Sequence, residues 1–266
     1  MNLSIVIPAY NSKSTIISAL DSVYNQTLLM GSTFKFEVIV VNDGSTDETN
    51  ELVESYKISN SLDNLLLFNR SNSGVSKTRN YGIKKSKGQW IALLDSDDVW
   101  NYDKLEKQFD IINNNADIDF IGCARNNEIL KIWGKEIDDL YEASVSDLLI
   151  TMFPQTSTAL IKRSLINRVG LYNESMTHAE DGELWVRLCN AGRFFYHPDS
   201  LVITGGGKNS FGESGLSADL DKMYKGNIQI LDYCRSSSFI GNTQYKLLRL
   251  FYMLKHYRRV VIVHMR

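Results

Sequence analysis

Apolar positions in the first hundred residues switch between two periods. Leu3 to Ile7 is a short β-branched run closed by Pro8, which reads as a buried strand. Ser12 to Asn25 places Ile16, Ala19, Leu20 and Val23 on one helical face. Phe36 to Val41 is a second buried strand, closed by Asn42-Asp43-Gly44. Ser45, followed three residues later by Glu48, predicts a capping box opening the next helix. Leu65 to Phe68 reads as a third strand and Gly74 to Lys85 as a helix. Gln89 to Leu94 is a fourth strand, ending at Asp95-Ser96-Asp97-Asp98.

This alternation predicts an α/β fold in which helical crossovers link parallel strands. In such sheets ligands bind beyond the carboxyl ends of the strands. The loops Pro8-Ala9-Tyr10-Asn11, Asn42 to Ser45 and Asp95 to Asp98 are therefore expected on one edge. The second half is less regular. Tyr102 to Asn113 and Ala179 to Asn190 read as helices, and Thr158 to Lys162 as a strand. Thr204 to Gly215 holds five glycines and reads as a flexible loop able to close over a substrate. Leu216 to Cys234 and Thr243 to Arg266 read as helices.

Composition narrows the class only modestly. The 266 residues are 43% hydrophobic and 23% charged, as in an ordinary soluble domain. The net charge of -2 gives no reason to expect nucleic acid. The three cysteines, Cys123, Cys189 and Cys234, lie far apart, which fits a reducing cytoplasm. No signal peptide is expected, because the run before Pro8 is too short. No segment reaches the roughly 18 to 20 apolar residues of a membrane span.

Three carboxylates within four residues at a strand end repel one another unless a cation or donors compensate. A bound diphosphate needs such a cation as a bridge, and Mg²⁺ or Mn²⁺ takes one or two carboxylates together with phosphate oxygens. The bland alternative is an acidic turn capping the helix near Tyr102; the position after a buried strand favours the metal. In the second loop, Gly44 supplies an unusual backbone angle and Asp47 suits a helix start. Asp43 is left spare and could accept from a base N–H. Arg79 reads either as a nucleotide contact or as a surface arginine. Glu180 and Asp181 in a first helical turn are ordinarily dipole partners. Gly205-Gly206-Gly207-Lys208-Asn209 is no phosphate loop, because Val202 and Asn209 stand where that motif needs Gly and Ser or Thr.

Taken together and in order, five segments resemble glycosyltransferase family 2, the inverting nucleotide-sugar transferases of GT-A fold. They are Val6 to Asn11, Val40 to Asp47, Asn72 to Gly82, Asp95 to Asp98 and Glu180 to Leu188. The resemblance spans residues 3 to about 200. It implies a Rossmann-like, mostly parallel central sheet flanked by helices, with a C-terminal helical extension. The catalytic domain would cover 1–240, with a nucleotide-binding half of about 1–100 and an acceptor-binding half of about 101–240.

The same resemblance implies roles. Pro8, Ala9, Tyr10, Asn11, Asp43, Arg79, Asp95 and Ser96 would bind the nucleotide, with Ala9, Tyr10 and Asp43 on the nucleobase, Arg79 near the nucleotide and Asp95 on the ribose. Asp97 would ligate Mn²⁺ or Mg²⁺, while Asp98 would only begin the next turn. Asp181 would be the catalytic base, with Glu180 and Trp185 near the acceptor or behind it. A further metal ligand, commonly histidine in this family, is absent from Val202 to Lys208 and stays open. The donor would be a UDP-sugar of glucose, galactose or N-acetylated hexosamine type. The acceptor would be a glycan or lipid-linked oligosaccharide of bacterial surface polysaccharide assembly. Processive relatives carry QxxRW and membrane helices, which this sequence lacks, so a single transfer is expected. The alternatives are a nucleotidyltransferase, disfavoured because Pro8 to Ser14 holds neither glycine nor arginine, and a nucleotide-sugar-binding module without catalysis.

Residues 241–266 form a predicted basic amphipathic helix, and Thr243 to Arg266 contains no Asp or Glu. Such a segment suits an anionic membrane surface and would place a cytoplasmic enzyme peripherally at the inner face of the membrane. A helix packed on the catalytic domain, or an oligomer contact, is the alternative.

Overall fold

A computed structural model describes residues 1–30, 34–115, 117–207 and 219–265. Its first half alternates as expected: β1 (Leu3–Ala9), α1 (Ile16–Tyr24), β2 (Phe36–Asn42), α2 (Thr49–Ser59), β3 (Leu65–Asn69), α3 (Val75–Lys85) and β4 (Trp90–Leu93). Then come β5 (Val99–Trp100), α4 (Lys104–Asn114), β6 (Phe120–Arg125), the hairpin β7 (Lys131–Ile132) and β8 (Lys135–Glu136), and β9 (Tyr141–Glu142). The chain continues through α5 (Val145–Ile150), β10 (Leu160–Lys162), α6 (Arg163–Val169), α7 (Glu180–Ala191), β11 (Phe194–Ile203), α8 (Leu220–Ser236) and α9 (Asn242–His264).

The central sheet runs β3-β2-β1-β4-β10-β6-β11-β5, with β9 on β11. β3, β2, β1, β4, β6 and β11 share one direction; β10, β5 and β9 oppose it. The mostly parallel sheet is thus observed, and its carboxyl edge gathers the ends of β1 to β4. Strand alternation divides the core into two layers. Ile5 and Ile7 of β1 pack with Leu20, Val23 and Phe109 on one face; Val6 packs with Ile91, Phe120 and Trp185 on the other. The second layer also takes in Tyr245, Leu248 and Tyr252 of α9.

Several local expectations change. The helix after β2 begins at Thr49, and Ser45 makes no capping box. The Ser45 hydroxyl instead accepts from Asn11 N–H at 3.0 Å, and Asp47 accepts from Lys13 N–H at 3.0 Å. Two loops that must touch compete for the polar groups a helix start would use. Likewise Ser12 stays outside α1, donating its N–H to Thr49 at 2.8 Å. β6 and β11 escape the sequence pattern. In β11 the register slips between His197 and Ser200 and again before Val202, which breaks the alternation that identifies a strand. The segment 208–215 of the glycine-rich loop lies outside the described residues; Gly205–Gly207 form a 3-10 turn.

Gly82 sets how closely α3 approaches the sheet. A Cβ there would meet Val6 Cγ1 at 2.4 Å and Val41 Cγ2 at 3.3 Å. Both valines are fully buried. Gly82→Val should therefore lower the unfolding free energy by roughly 2 kcal/mol through overpacking, measured by urea denaturation. An unchanged midpoint would show that the helix can shift.

Candidate active site

The loops after β1, β2, β3 and β4 open into one cavity of about 840 Å³. Pro8, Ala9, Tyr10, Asp43, Asn72 to Gly74 and Asp95 to Asp98 line one side. Residues of the second half form the facing wall: Met176, Thr177, Ala179, Glu180, Asp181, Thr204 and Gly205, with Met223 of α8. The convergence expected from strand order is present.

Within this edge the loops are cross-linked. The Asn11 side chain, at a backbone φ of 49°, accepts from Thr46 N–H at 2.8 Å. It therefore braces the first loop against the second and is not among the cavity-lining residues, contrary to its expected place at the nucleotide. Ser96 lines the cavity and its hydroxyl meets that of Ser12 at 2.7 Å. Asp43 is 4% exposed. Its carboxylate accepts from Ser73 N–H (3.0 Å), the Ser73 hydroxyl (3.0 Å) and Gly74 N–H (2.9 Å). The carboxylate that looked spare thus anchors the chain entering α3, while still bordering the cavity. Gly44, at φ 74°, has room for no side chain: a Cβ would meet Asn72 N at 2.8 Å.

Arg79 sits at the centre and is buried, so the surface-arginine reading is excluded. Its guanidinium reaches Asp95 at 2.7 Å, Asp181 at 3.1 Å and Glu180 at 3.3 Å. Tyr172 lies beside it, ring centre 5.4 Å from the guanidinium carbon. Burial opposes its charge, yet Asp95, Asp181, Tyr172 and Glu180 together hold the guanidinium pKa well above its usual value. Asn80, the next residue on α3, bonds both backbone groups of Tyr172 at 2.9 Å. One turn of α3 therefore fastens the first half of the chain to the opposite wall.

The Glu180-Asp181 pair is asymmetric. Ala179 adopts a left-handed conformation, φ 58°, that turns the chain into α7. Gly226 of α8 packs directly beneath, where a Cβ would lie 2.4 Å from the His178 carbonyl oxygen. Glu180 faces inward and is buried, whereas the Asp181 side chain is 32% exposed toward the cavity. Burial, and next the neighbouring Asp181 charge, raise the Glu180 carboxyl to about 7, with Arg79 opposing the rise.

The acidic cluster divides three ways. Asp95 pairs with Arg79, and its N–H donates to the Ser157 hydroxyl at 2.9 Å. Asp97 is exposed at the cavity. Asp98 does more than begin a turn: it is 3% exposed and accepts from Gly205 N–H at 2.8 Å, Gln155 Nε2 at 3.1 Å and the Ser157 hydroxyl. Burial, followed by the Asp95 charge, lifts its carboxyl to about 7. Trp185 does not line the cavity and lies behind it, one of its two expected places. It is fully buried, packs on Phe120 and donates its N–H to the Pro154 carbonyl at 2.9 Å. It supports the segment carrying Gln155 and Ser157 from behind.

Gln155, Ser157, Arg125, Tyr172 and Met223 were not read as site residues from sequence. The one available signal was the polar run Gln155-Thr156-Ser157 after Pro154. At Val202 to Lys208 the described residues offer Thr204, whose hydroxyl accepts from Arg125 at 2.7 Å.

Comparison with known proteins agrees with this geometry. The profile of Glycosyl transferase family 2 matches residues 4–170. An uncharacterized glycosyltransferase of Rickettsia typhi is 30% identical over 75% of this chain and 62% of its own length, so the chain spans about three fifths of that relative. WfgD of Escherichia coli, a UDP-Glc:alpha-D-GlcNAc-diphosphoundecaprenol beta-1,3-glucosyltransferase, is 28% identical over 96% of this chain and 91% of its own. S. aureus TarS bound to UDP-GlcNAc superposes with a TM-score of 0.70 at 22% identity, over 97% of this chain and 73% of that one. The mannosyltransferase PcManGT of Pyrobaculum calidifontis, complexed with GDP-Man and Mn²⁺, gives 0.68 at 17% identity, over 93% and 68%. The fold is the one these structures share, and with the profile covering well over half of its length, the chain belongs to glycosyl transferase family 2.

Proposed function

We propose that this chain transfers one sugar from a UDP-sugar to a glycan acceptor with inversion at the anomeric carbon. The observation that carries the reading is the single cavity with Asp97 on the nucleotide side and Asp181 on the facing wall, joined through Asp95 and Arg79. Pro8, Ala9, Tyr10 and Asp43 hold the nucleobase, and Asp95 takes the ribose. Asp181 removes the proton of the attacking acceptor hydroxyl, and the diphosphate departs from the other side of the sugar. Glu180 is a poor candidate for that role, because it is buried behind Asp181 and only partly ionised near neutral pH, its carboxyl being raised to about 7. Arg79 orients Asp181 by its 3.1 Å contact.

A divalent cation fits the donor set. The ligands offered are all carboxylate oxygen, as Mg²⁺ and Mn²⁺ prefer. Among the described residues no three acidic, histidine or cysteine groups form a ready-made metal site. That agrees with a cation held by Asp97 and completed by diphosphate oxygens. Bound there, Mn²⁺ or Mg²⁺ would neutralise charge on the departing diphosphate. The names of WfgD and TarS support a UDP-linked donor, and that of WfgD supports a lipid-diphosphate-linked acceptor in surface polysaccharide assembly. Such an acceptor lies at a membrane, and the chain would work there from the cytoplasmic side.

Release of UDP from UDP-glucose and UDP-GlcNAc, with and without Mn²⁺, tests the activity. Asp181→Asn should lower kcat by about 10² to 10⁴-fold while leaving UDP affinity nearly unchanged. Turnover like the parent's would remove Asp181 from the mechanism. Asp97→Ala should weaken UDP binding in Mn²⁺ but not in its absence, read by titration calorimetry; equal loss in both conditions would contradict the metal role. A pH dependence follows from Glu180. Its folded pKa lies above the unfolded one, so folding retains a proton that the unfolded chain has lost. The nucleotide-free protein should lose stability as pH rises from about 5 to about 8, and the slope should flatten in Glu180→Gln. Parallel melting curves for both proteins would show that Glu180 does not titrate in this range.

A further inference from the structure

α9 presents two faces of different character. Tyr245, Leu248 and Tyr252 point into the core. On the opposite side Leu247, Leu250, Leu254, Tyr257 and Val261 are 50 to 64% exposed. Their spacing of three and four residues makes one apolar stripe along the outer surface. The helix carries Lys246, Arg249, Lys255, Arg258 and Arg259 and no acidic residue. Burial, with the charges of Arg259 and Arg258, lowers the Lys255 pKa to about 8, a sign of crowded positive charge.

Charge is distributed unevenly over the chain. Residues 243–266 hold six of the 29 lysines and arginines and none of the 31 acids, a local charge of +6. The remaining residues therefore carry 23 basic and 31 acidic groups, or -8. A second, independent feature adjoins the helix. Trp133, at the β7–β8 hairpin, is 69% exposed, and its N–H donates to Asp147 of α5 at 3.2 Å. The neighbouring residue Ser146 accepts from Gln244 of α9 at 3.0 Å. The exposed tryptophan and the apolar helix thus meet the same turn of α5. Tryptophan with a polar tip is a residue suited to a lipid–water boundary.

We infer that the outer face of α9, with Trp133 beside it, docks the protein flat on an anionic phospholipid surface. Leucine, tyrosine and valine side chains enter the headgroup boundary, and Lys246 and Arg258, exposed on either side of the stripe, meet the lipid phosphates. The body, with its charge of -8, is repelled by the same surface, so one orientation is selected. A stripe of this spacing would also suit a second copy of the helix, but pairing would bring two groups of unbalanced positive charge together. No helix of the described residues is long and apolar enough to cross a membrane, so the contact is superficial. The inference extends the reading of a lipid-linked acceptor, but its test is independent of transfer.

Co-sedimentation of the full chain with vesicles of equal parts phosphatidylglycerol and phosphatidylcholine tests it, with pure phosphatidylcholine as control. Binding should require phosphatidylglycerol and weaken with salt. Lys246→Gln with Arg258→Gln should reduce affinity by more than about tenfold, and Leu250→Ser with Leu254→Ser should do so as well. Neither pair touches the cavity, so UDP-sugar hydrolysis should persist in both and reports that they fold. Failure of hydrolysis in the parent would count against the transferase reading alone. Absence of vesicle binding, or equal binding by the leucine variant, overturns the docking. So does light scattering that shows a dimer in the parent, dissolved by the leucine substitutions, because the stripe would then belong to a second copy.

Discussion

One buried guanidinium among three carboxylates holds the two walls of the cavity in register. Arg79 comes from α3, Asp95 from the end of β4, and Glu180 and Asp181 from the first turn of α7. Without the cation these acids would repel across the cavity; without the acids, a desolvated arginine would be strongly unfavourable. The arrangement is possible because Gly82 lets α3 lie against β1 and β2 with no side chain between them. Arg79 is thereby carried into the interior while its helix remains seated on the sheet.

The acids that border the cavity differ in burial. Asp98 is shielded by Ser157, Gln155 and Gly205 and holds its proton far above the ordinary carboxylate range. Glu180 does the same behind Asp181. Burial raises the Asp98 and Glu180 carboxyls to about 7, whereas Asp97 and Asp181 are the more exposed members and line the cavity. Burial alone distinguishes the members of each acidic pair, since all of them are carboxylates.

The helices of the second half do structural work on the same site. α8 contributes Met223 to the cavity wall and seats Gly226 on the His178 carbonyl, which fixes the turn leading to Asp181. α9 packs on α8 with one face and leaves the other outside. The outer face of α9 is thus linked to the helix that carries Asp181 through α8, which packs on both α9 and α7.

By itself the sequence determined the alternation of elements through β4 and the edge on which the loops gather, because buried strands and amphipathic helices leave distinct periods. It also picked out Pro8 to Tyr10, Asp43, Arg79, Asp95 to Asp97, and the Glu180-Asp181 pair as bordering one place. Tertiary structure alone decided what each does there. Asn11 and Ser45 were diverted into bracing loops, since a side-chain hydrogen bond goes to whichever partner the fold brings near. Asp43 became an anchor for α3, Asp98 a buried acid with a raised pKa, and Trp185 a core residue behind the site. β11 was hidden because a shifted register erases alternation, and β6 because a strand buried on both faces has none to show. Burial and cross-chain partners fix those outcomes, and neither is written in the local spacing of residues.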